Sequence, residues 1–463
     1  MKKALIFILL GLLLLGCKQN DAPTYVEGTT KGFSPKELYI SSYNSIVTDT
    51  ISVDSISHFK KEFKLKSADF FTIYDRDGNT FSLYLEPGKK NNITLNNKRN
   101  EVVVTGDLSI ENKLYSELQK GNDSLTKKVQ GEYAKLNEVA FLEKMKDFEV
   151  AQNRLINKIS QKEKLNPDFV KLLQQDILYT SLGWKQYYPM ISGNIEKTDE
   201  KSATALKAYY AKIDESIKED SILLKLNSYR EVMDRRVLID LSQKMGKDES
   251  FDYVMEYLNE IKATIQSPTI RAEVSYDFLK MGLSMAKDKK AIMDMYKSFG
   301  AKGEKLQAIE KIYAKLKKIE PGNPAPDFSY ADVDGKAYTL TDFKGKILYI
   351  DIWATWCGPC KGEIPHLKAL EKSFEGKDIA FVSISLDSDK DIEKWKTFVK
   401  KNKLGGIQLH ADGDFNSKIA TEYQINAIPR FILIGKDGKI INSDAERPTD
   451  EKKIKQVLEK ALI

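Results

Sequence analysis

The sequence predicts a multidomain chain with an N-terminal antiparallel β sandwich, a central all-α region and a C-terminal α/β domain. Three observations predict it. Between Lys31 and Gly106 apolar residues alternate with polar ones, as Phe81, Leu83 and Leu85 do with Ser82 and Tyr84, the period-2 pattern of strands with one buried face. From Leu108 to Ile319 the period turns helical. Beyond Glu320–Pro326, where three prolines and a glycine fall in one short stretch and a helix cannot continue, buried-strand runs alternate with amphipathic helices.

Lys2 and Lys3 followed by the apolar run Ala4 to Leu15 form the charged and apolar regions of a secretory signal. The run is too short to span a bilayer, which takes ~20 residues. Leu14-Leu15-Gly16-Cys17 resembles the bacterial lipobox. That resemblance implies a signal over 1–16, lipidation of Cys17 and a tether over 17–30, with the mature protein hanging from a lipid membrane on its extracytoplasmic, periplasmic face. Lys18 is not the aspartate that retains enterobacterial lipoproteins at the inner membrane, which favours the outer membrane and leaves the choice open. Hydrophobic content of 41% and charged content of 30% mark an ordinary soluble protein beyond the leader. The net charge of +6, which includes Lys2 and Lys3, is too small over 463 residues to argue for nucleic acid.

Residues 31–106 read as six or seven strands, with Asp77-Gly78 and Pro87-Gly88 as turns and Val102 to Val104 closing the series. No carboxylate pair, glycine loop or histidine cluster stands out there, which fits a spacer or docking domain. In 107–319, breaks at Gly121, Asn166-Pro167, Gly183, Gly193, Gly246 and Pro268 divide the stretch into eight to ten helices. Leu306, Ile309, Ile312, Tyr313, Leu316 and Ile319 form one apolar stripe. Trp184, Tyr187, Tyr188, Tyr209 and Tyr210 belong to helix packing or, alternatively, line a partner groove. Residues 320–326 read as a linker and 327–463 as the last domain. Its hairpin, Phe328 to Leu340, is followed by strands at Ile347 to Trp353, Ile379 to Leu386, Ile407 to Leu409, Phe431 to Ile434 and Lys439 to Asn442. Helices lie between them and Ile454 to Leu462 comes last.

The chemistry concentrates in Asp351 to Cys360, sequence DIWATWCGPC. Two thiols three residues apart can close a disulfide within one turn. The apolar run before them reads as a buried strand, and Ile364, Leu367, Leu370 and Phe374 place a helix after them. Cys357 therefore sits at a helix amino end, where unpaired N–H groups and the helix dipole favour a thiolate and thiols titrate at roughly 3.5–7.5. A structural zinc needs four ligands, and His58, His366 and His410 are not spaced to complete a site, so no metal is expected. The peroxiredoxin pattern is missing too, since Ile350 and Ala354 stand where it carries proline and threonine.

Trp356-Cys357-Gly358-Pro359-Cys360, Pro365, Asp351 and Ala427-Ile428-Pro429 together resemble the thioredoxin active site. Ala325-Pro326-Asp327-Phe328, Leu340 to Lys346, Trp353-Ala-Thr-Trp-Cys357 and Cys360-Lys-Gly-Glu-Ile-Pro365 are similar to the exported ResA/TlpA-type thiol-disulfide oxidoreductases. The likeness covers 322–463. Residues 31–106 more loosely resemble a domain of unknown function that precedes thioredoxin-like domains in bacterial lipoproteins.

The resemblance implies a thioredoxin fold and an oxidoreductase whose only redox group is the Cys357–Cys360 disulfide, without other cofactor. Cys357 is then the nucleophile and Cys360 the resolving thiol. Asp351 is the proton acceptor, and Glu363 a second candidate that transfers protons or tunes the thiol pKa. Trp356, Gly358, Pro359, Ile428 and a cis-Pro429 bind the substrate, while Trp353 reads as core. Thioredoxins often carry a lysine near the buried acid, and the corresponding residue here is expected to be Ser385. The segment from Asp387 to Ile407 matches a ResA/TlpA-type insertion of a helix and an added strand. The implied partners are disulfide-containing proteins, apocytochrome c among them, and a membrane electron donor of the CcdA/DsbD kind. This places the protein in cytochrome c maturation and cell redox homeostasis. The alternative is a partner-binding or assembly lipoprotein whose β and helical domains capture a client while the thioredoxin domain is ancillary.

Overall fold

The computed structural model describes residues 23–42, 49–98, 101–193, 200–244 and 252–463. The leader, the lipobox and Cys17 lie outside these residues. The chain divides into two compact units, one of residues 1–247 with 260–274 and the other of 248–259 with 275–463.

The first unit opens with β1 (Thr24–Lys31), β2 (Glu37–Ser42), β3 (Asp49–Ser52), β4 (His58–Phe63), β5 (Asp69–Tyr74), β6 (Thr80–Leu85), β7 (Lys90–Asn96) and β8 (Glu101–Gly106). They form two four-stranded sheets, ordered β4-β1-β7-β8 and β3-β2-β5-β6. Val26, Phe59 and Ile93 from one sheet and Leu38, Ile73 and Leu83 from the other share a single buried core, so the sandwich is real. Two details differ from expectation. β1 begins inside the supposed 17–30 tether, and it pairs parallel to β7 although its other neighbour β4 is antiparallel. The alternation of β1 is hidden because its inward positions are Thr24, Val26, Gly28 and Thr30, of which one alone is large and apolar. Gly28 is required there, since a Cβ would stand 1.9 Å from the Ile93 carbonyl oxygen of β7.

Helices α1 (Ser109–Gln130), α2 (Glu138–Ser160), α3 (Pro167–Ile191), α4 (Glu200–Asp214) and α5 (Asn227–Lys244) also belong to this unit. Asn166 caps α3 through the Asp168 N–H at 2.9 Å, with Pro167 in the first turn, where its missing N–H costs nothing. Tyr188 stacks on Phe141 of α2 at 4.3 Å, and Tyr179 meets Tyr229 of α5 edge-on at 4.8 Å. Tyr188, Tyr209 and Tyr210 are thus buried packing residues. Beyond them run α6 (Tyr253–Thr264), α7 (Pro268–Gly282), α8 (Lys289–Ser298) and α9 (Gly303–Lys318). The expected single helical domain over 107–319 is divided: α1 to α5 belong to the first unit, α8 and α9 to the second, and the boundary passes through α6 and α7. Helical periodicity shows that a face must be covered, not which neighbour covers it.

The second unit adds β9 (Ser329–Asp332), β10 (Ala337–Thr339), β11 (Ile347–Trp353), α10 (Gly358–Ser373), β12 (Ile379–Ser385), α11 (Ile392–Asn402), β13 (Ile407–His410), α12 (Lys418–Glu422), β14 (Arg430–Ile434), β15 (Ile440–Asn442) and α13 (Glu451–Leu462). One seven-stranded sheet runs β10-β9-β13-β12-β11-β14-β15. All seven residues of β11 are buried, as a central strand covered on both faces requires. Leu367 and Leu370 of α10 and Ile454 and Leu458 of α13 pack with Tyr349 and Phe431, while Trp395 and Val399 of α11 pack with Trp353 and the two cysteines. This is the thioredoxin-like architecture that the sequence predicts, with α11 and β13 in the expected insertion. The 320–326 stretch is no free linker, because Gly322 and Ala325 donate to the Ile440 and Gly438 carbonyls at 2.8 and 3.0 Å. Its non-proline residues keep the donors that edge pairing needs.

Candidate active site

Strand β11 ends at Trp353, and the turn Ala354-Thr355-Trp356 delivers Cys357 to the N-cap of α10. That turn is held from β12. Asp387, fully buried at the strand's carboxyl end, accepts the Thr355 N–H at 2.9 Å and the hydroxyls of Thr355 and Ser385 at 2.6 Å each. Sequence reasoning missed Asp387; an acid directly after a predicted central strand was the signal available.

Cys357 and Cys360 are disulfide-bonded with their Cα atoms 5.3 Å apart. The Cys360 N–H donates to Cys357 Sγ at 3.1 Å, so a backbone donor of the first helical turn already faces the sulfur that carries charge when the bond is reduced. Cys357 Sγ lies 3.8 Å from the Ile428 carbonyl oxygen, and the Ile428–Pro429 bond is cis. The loop carrying these two residues is fixed by Arg430, which pairs with Asp444 at 3.1 Å and donates to the Ser443 carbonyl at 3.0 Å. Gly358 has open space where a side chain would stand. Trp356 is 53% exposed and lies against Phe415, ring centroids 6.3 Å apart. In the oxidised pair both cysteines are buried, Cys357 4% and Cys360 3% exposed. Ile428, Trp353 and Trp395 pack around both sulfurs.

Asp351 is the buried acid of β11, paired in register with Ser383 of β12. The expected neighbour was Ser385, which instead stands opposite Trp353 and bonds to Asp387. Burial pushes the Asp351 carboxyl up to about 8; a hydrogen bond with Ser383 opposes this, and the charges of Glu363 and Glu371 add to it. Asp351 also lines a narrow cleft with Glu371, Ser383 and Gln408.

Glu363 lies on α10 and is buried. It accepts the Thr449 N–H on one oxygen and the Thr449 hydroxyl on the other, both at 3.0 Å. With both oxygens engaged it is better placed to act through its charge on Asp351 than as a proton carrier. Removing that charge in Glu363→Gln is expected to move the pH midpoint of mixed-disulfide resolution to lower pH, with turnover at pH 9 within about threefold of wild type; stopped-flow Trp fluorescence across pH 6–9 measures it. His366 is exposed and His410 is buried with Nε2 2.9 Å from the Asp387 carbonyl oxygen. Among the described residues no group of His, Cys, Asp and Glu is gathered to hold a metal ion.

The Redoxin family model matches residues 320–458. The thiol-disulfide oxidoreductase ResA of Bacillus cereus is 34% identical over 139 residues, which are 30% of this chain and 78% of that protein. ResA of Bacillus subtilis is 28% identical over 130 residues, 28% of this chain and 70% of the relative. A solved thiol-disulfide oxidoreductase from Bacteroides fragilis is 32% identical, with 29% of this chain and 100% of that chain covered and a TM-score of 0.27. With the bonded cysteine pair at the head of α10 and the buried acid on the central strand, the likeness to the Bacillus cereus ResA places the chain, through its C-terminal domain, in the ResA-type thiol-disulfide oxidoreductase family.

Proposed function

We propose that the protein is a membrane-anchored, extracytoplasmic reductant of protein disulfides that works through the Cys357–Cys360 dithiol without a dissociable cofactor. The observation that carries this reading is the sulfur pair at the amino end of α10, facing the Ile428 carbonyl. In the reduced protein the Cys357 thiolate attacks one sulfur of a substrate disulfide. The other substrate sulfur leaves as a thiolate and takes a proton from solvent. Cys360 gives its proton to the Asp351 carboxylate and attacks Cys357 Sγ, which expels the second substrate thiolate and closes the Cys357–Cys360 bond. The second substrate thiolate takes up, by way of solvent, the proton that Asp351 received, which returns Asp351 to the carboxylate. Two electrons thus pass from the dithiol to the substrate, and the other proton is the one Cys357 gave to solvent on ionising. Trp356, Gly358, Pro359, Ile428 and Pro429 form the surface against which the substrate segment lies.

A reducing direction is supported by the Cys-Gly-Pro-Cys sequence, since thioredoxin lies near −270 mV and strongly oxidising relatives near −120 mV. The ResA-type likeness supports a separate membrane reductase of the CcdA/DsbD kind as the source of the electrons. Lipidation at Cys17 would keep the dithiol on the periplasmic face of a membrane. The ResA-type likeness supports apocytochrome c cysteines as clients, and with them a part in cytochrome c maturation and cell redox homeostasis.

Cys360→Ser should stop the reaction after the first step. Expressed in cells, the variant is expected to accumulate adducts that reductant dissolves on gels, at least about tenfold over a Cys357→Ser/Cys360→Ser control. Equal adducts in both would overturn the proposed attack by Cys357.

A further inference from the structure

The first unit holds a cleft of about 510 Å³ that the redox chemistry leaves unused. Strands β5 and β6 contribute Thr72 and Ser82 to its lining, and α1, α3 and α5 form its walls. On α1 the residues facing it are Tyr115, Gln119, Asn122, Thr126 and Gln130; after the buried Tyr115 the stripe consists of uncharged amides and a hydroxyl where a core-facing stripe is ordinarily apolar. On α3, Trp184 and Tyr187 line it half-buried, ring centroids 5.9 Å apart. These are the two of the five aromatics singled out in the sequence that packing has not absorbed.

The charged groups of the cleft are engaged with its walls. Lys225 donates to the Ala68 carbonyl at 2.7 Å, Arg235 to the Gly183 carbonyl at 2.7 Å, Ser228 to Asp176 at 2.6 Å and Asn227 to Glu231 at 2.6 Å. The two acids and two bases balance, so the lining favours an occupant that is neutral and rich in amides.

Strand β6 is the outer strand of its sheet. At Tyr84 its outward N–H and C=O are closed off by Asn112 of α1, whose Oδ1 accepts the Tyr84 N–H at 2.8 Å and whose Nδ2 donates to the Tyr84 carbonyl at 3.0 Å. Outward-pointing groups recur at every second residue of an antiparallel strand, so the N–H and C=O of Ser82 point the same way. Ser82 is exposed and borders the cleft. Open sheet edges are ordinarily covered or charged; this one is plugged at one end and open at the other, beside an amide-lined wall.

We propose that the cleft is a docking site for an extended peptide segment, which adds to the edge of β6 at Ser82 and lays a large apolar side chain against Trp184 and Tyr187. Main-chain pairing would supply affinity and the aromatic pair selectivity. The site is independent of the redox reading.

The test uses the full chain carrying Cys357→Ser and Cys360→Ser, so that no covalent adduct contributes. The probes are fluorescein-labelled dodecapeptides of alternating threonine and leucine, phenylalanine or tryptophan, followed by anisotropy. Saturable binding is expected, weakened at least tenfold by Trp184→Ala and by Ser82→Pro. The proline removes an N–H that β5 does not use, and urea unfolding checks that the variant folds. N-methylation of alternate peptide amides in one register should abolish binding and in the other register should not, a result that stands on the unaltered surface even if Ser82→Pro fails to fold. Absence of saturable binding, indifference to N-methylation, or equal affinity for Trp184→Ala overturns the proposal. So does a Trp184-dependent affinity for maltohexaose or chitohexaose in place of the peptides.

Discussion

Cys357→Ser is expected to lower insulin-disulfide reduction to the uncatalysed background, a fall of more than about a thousandfold of the kind seen when a covalent nucleophile is removed. The reason is ionisation. A thiol at a helix amino end is substantially thiolate at neutral pH, whereas a serine hydroxyl there is not. The substitution should leave the fold intact, because Cys357 is the N-cap of α10 and serine is among the best N-cap residues. The loss is therefore assignable to chemistry. Turbidimetric insulin reduction with dithiothreitol as donor, together with the circular dichroism spectrum of the variant, measures both. Undiminished turnover would remove Cys357 from the mechanism.

Asp351→Asn should act on the second half-reaction. General-base removal costs typically 10²–10⁴-fold, and resolution of a mixed disulfide trapped on Cys357 is expected to slow within that range while its formation changes little. The pH dependence distinguishes this from a packing effect. With its carboxyl raised to about 8, Asp351 accepts a proton only in the deprotonated fraction, so wild-type resolution should rise through pH 8 and the asparagine variant should lose that rise. Stability moves in the opposite sense. The folded protein holds a proton that the unfolded chain gives up near 3.8, so the stabilisation by the protonated acid is full below that pH, declines as pH rises and is gone above 8. Asp351→Asn should therefore unfold at higher urea than wild type at pH 9, by several kcal/mol given about 1.4 kcal/mol per pKa unit, and the difference should shrink toward pH 4. A variant with unchanged resolution and no gain in stability would leave Asp351 a structural residue.

What could be read in the sequence was local. The strand Ile347 to Trp353 needs cover on both faces and so reads as an uninterrupted apolar run, and the cysteines follow it at a spacing that one turn bridges. β1 was not legible, because Thr24, Gly28 and Thr30 carry no hydrophobic period. Nor was the neighbour of Asp351: Ser383 and Ser385 differ by two residues and so share a face of β12, and alternation cannot choose between them. Register chose Ser383, since it is set by how the whole of β11 packs against β12.

The sequence by itself determined the reactive pair and the fold around it, since a strand, a turn and a helix in direct succession leave the two sulfurs no distance to cover. Tertiary structure alone decided what surrounds them. Thr449 holds Glu363 from 86 residues away, Asp387 fixes the Thr355 turn from 32 residues away, and the same helical period sends α1 to α5 to one unit and α8 and α9 to the other. Such contacts depend on which faces meet once the chain has closed, and no local pattern of residues records that.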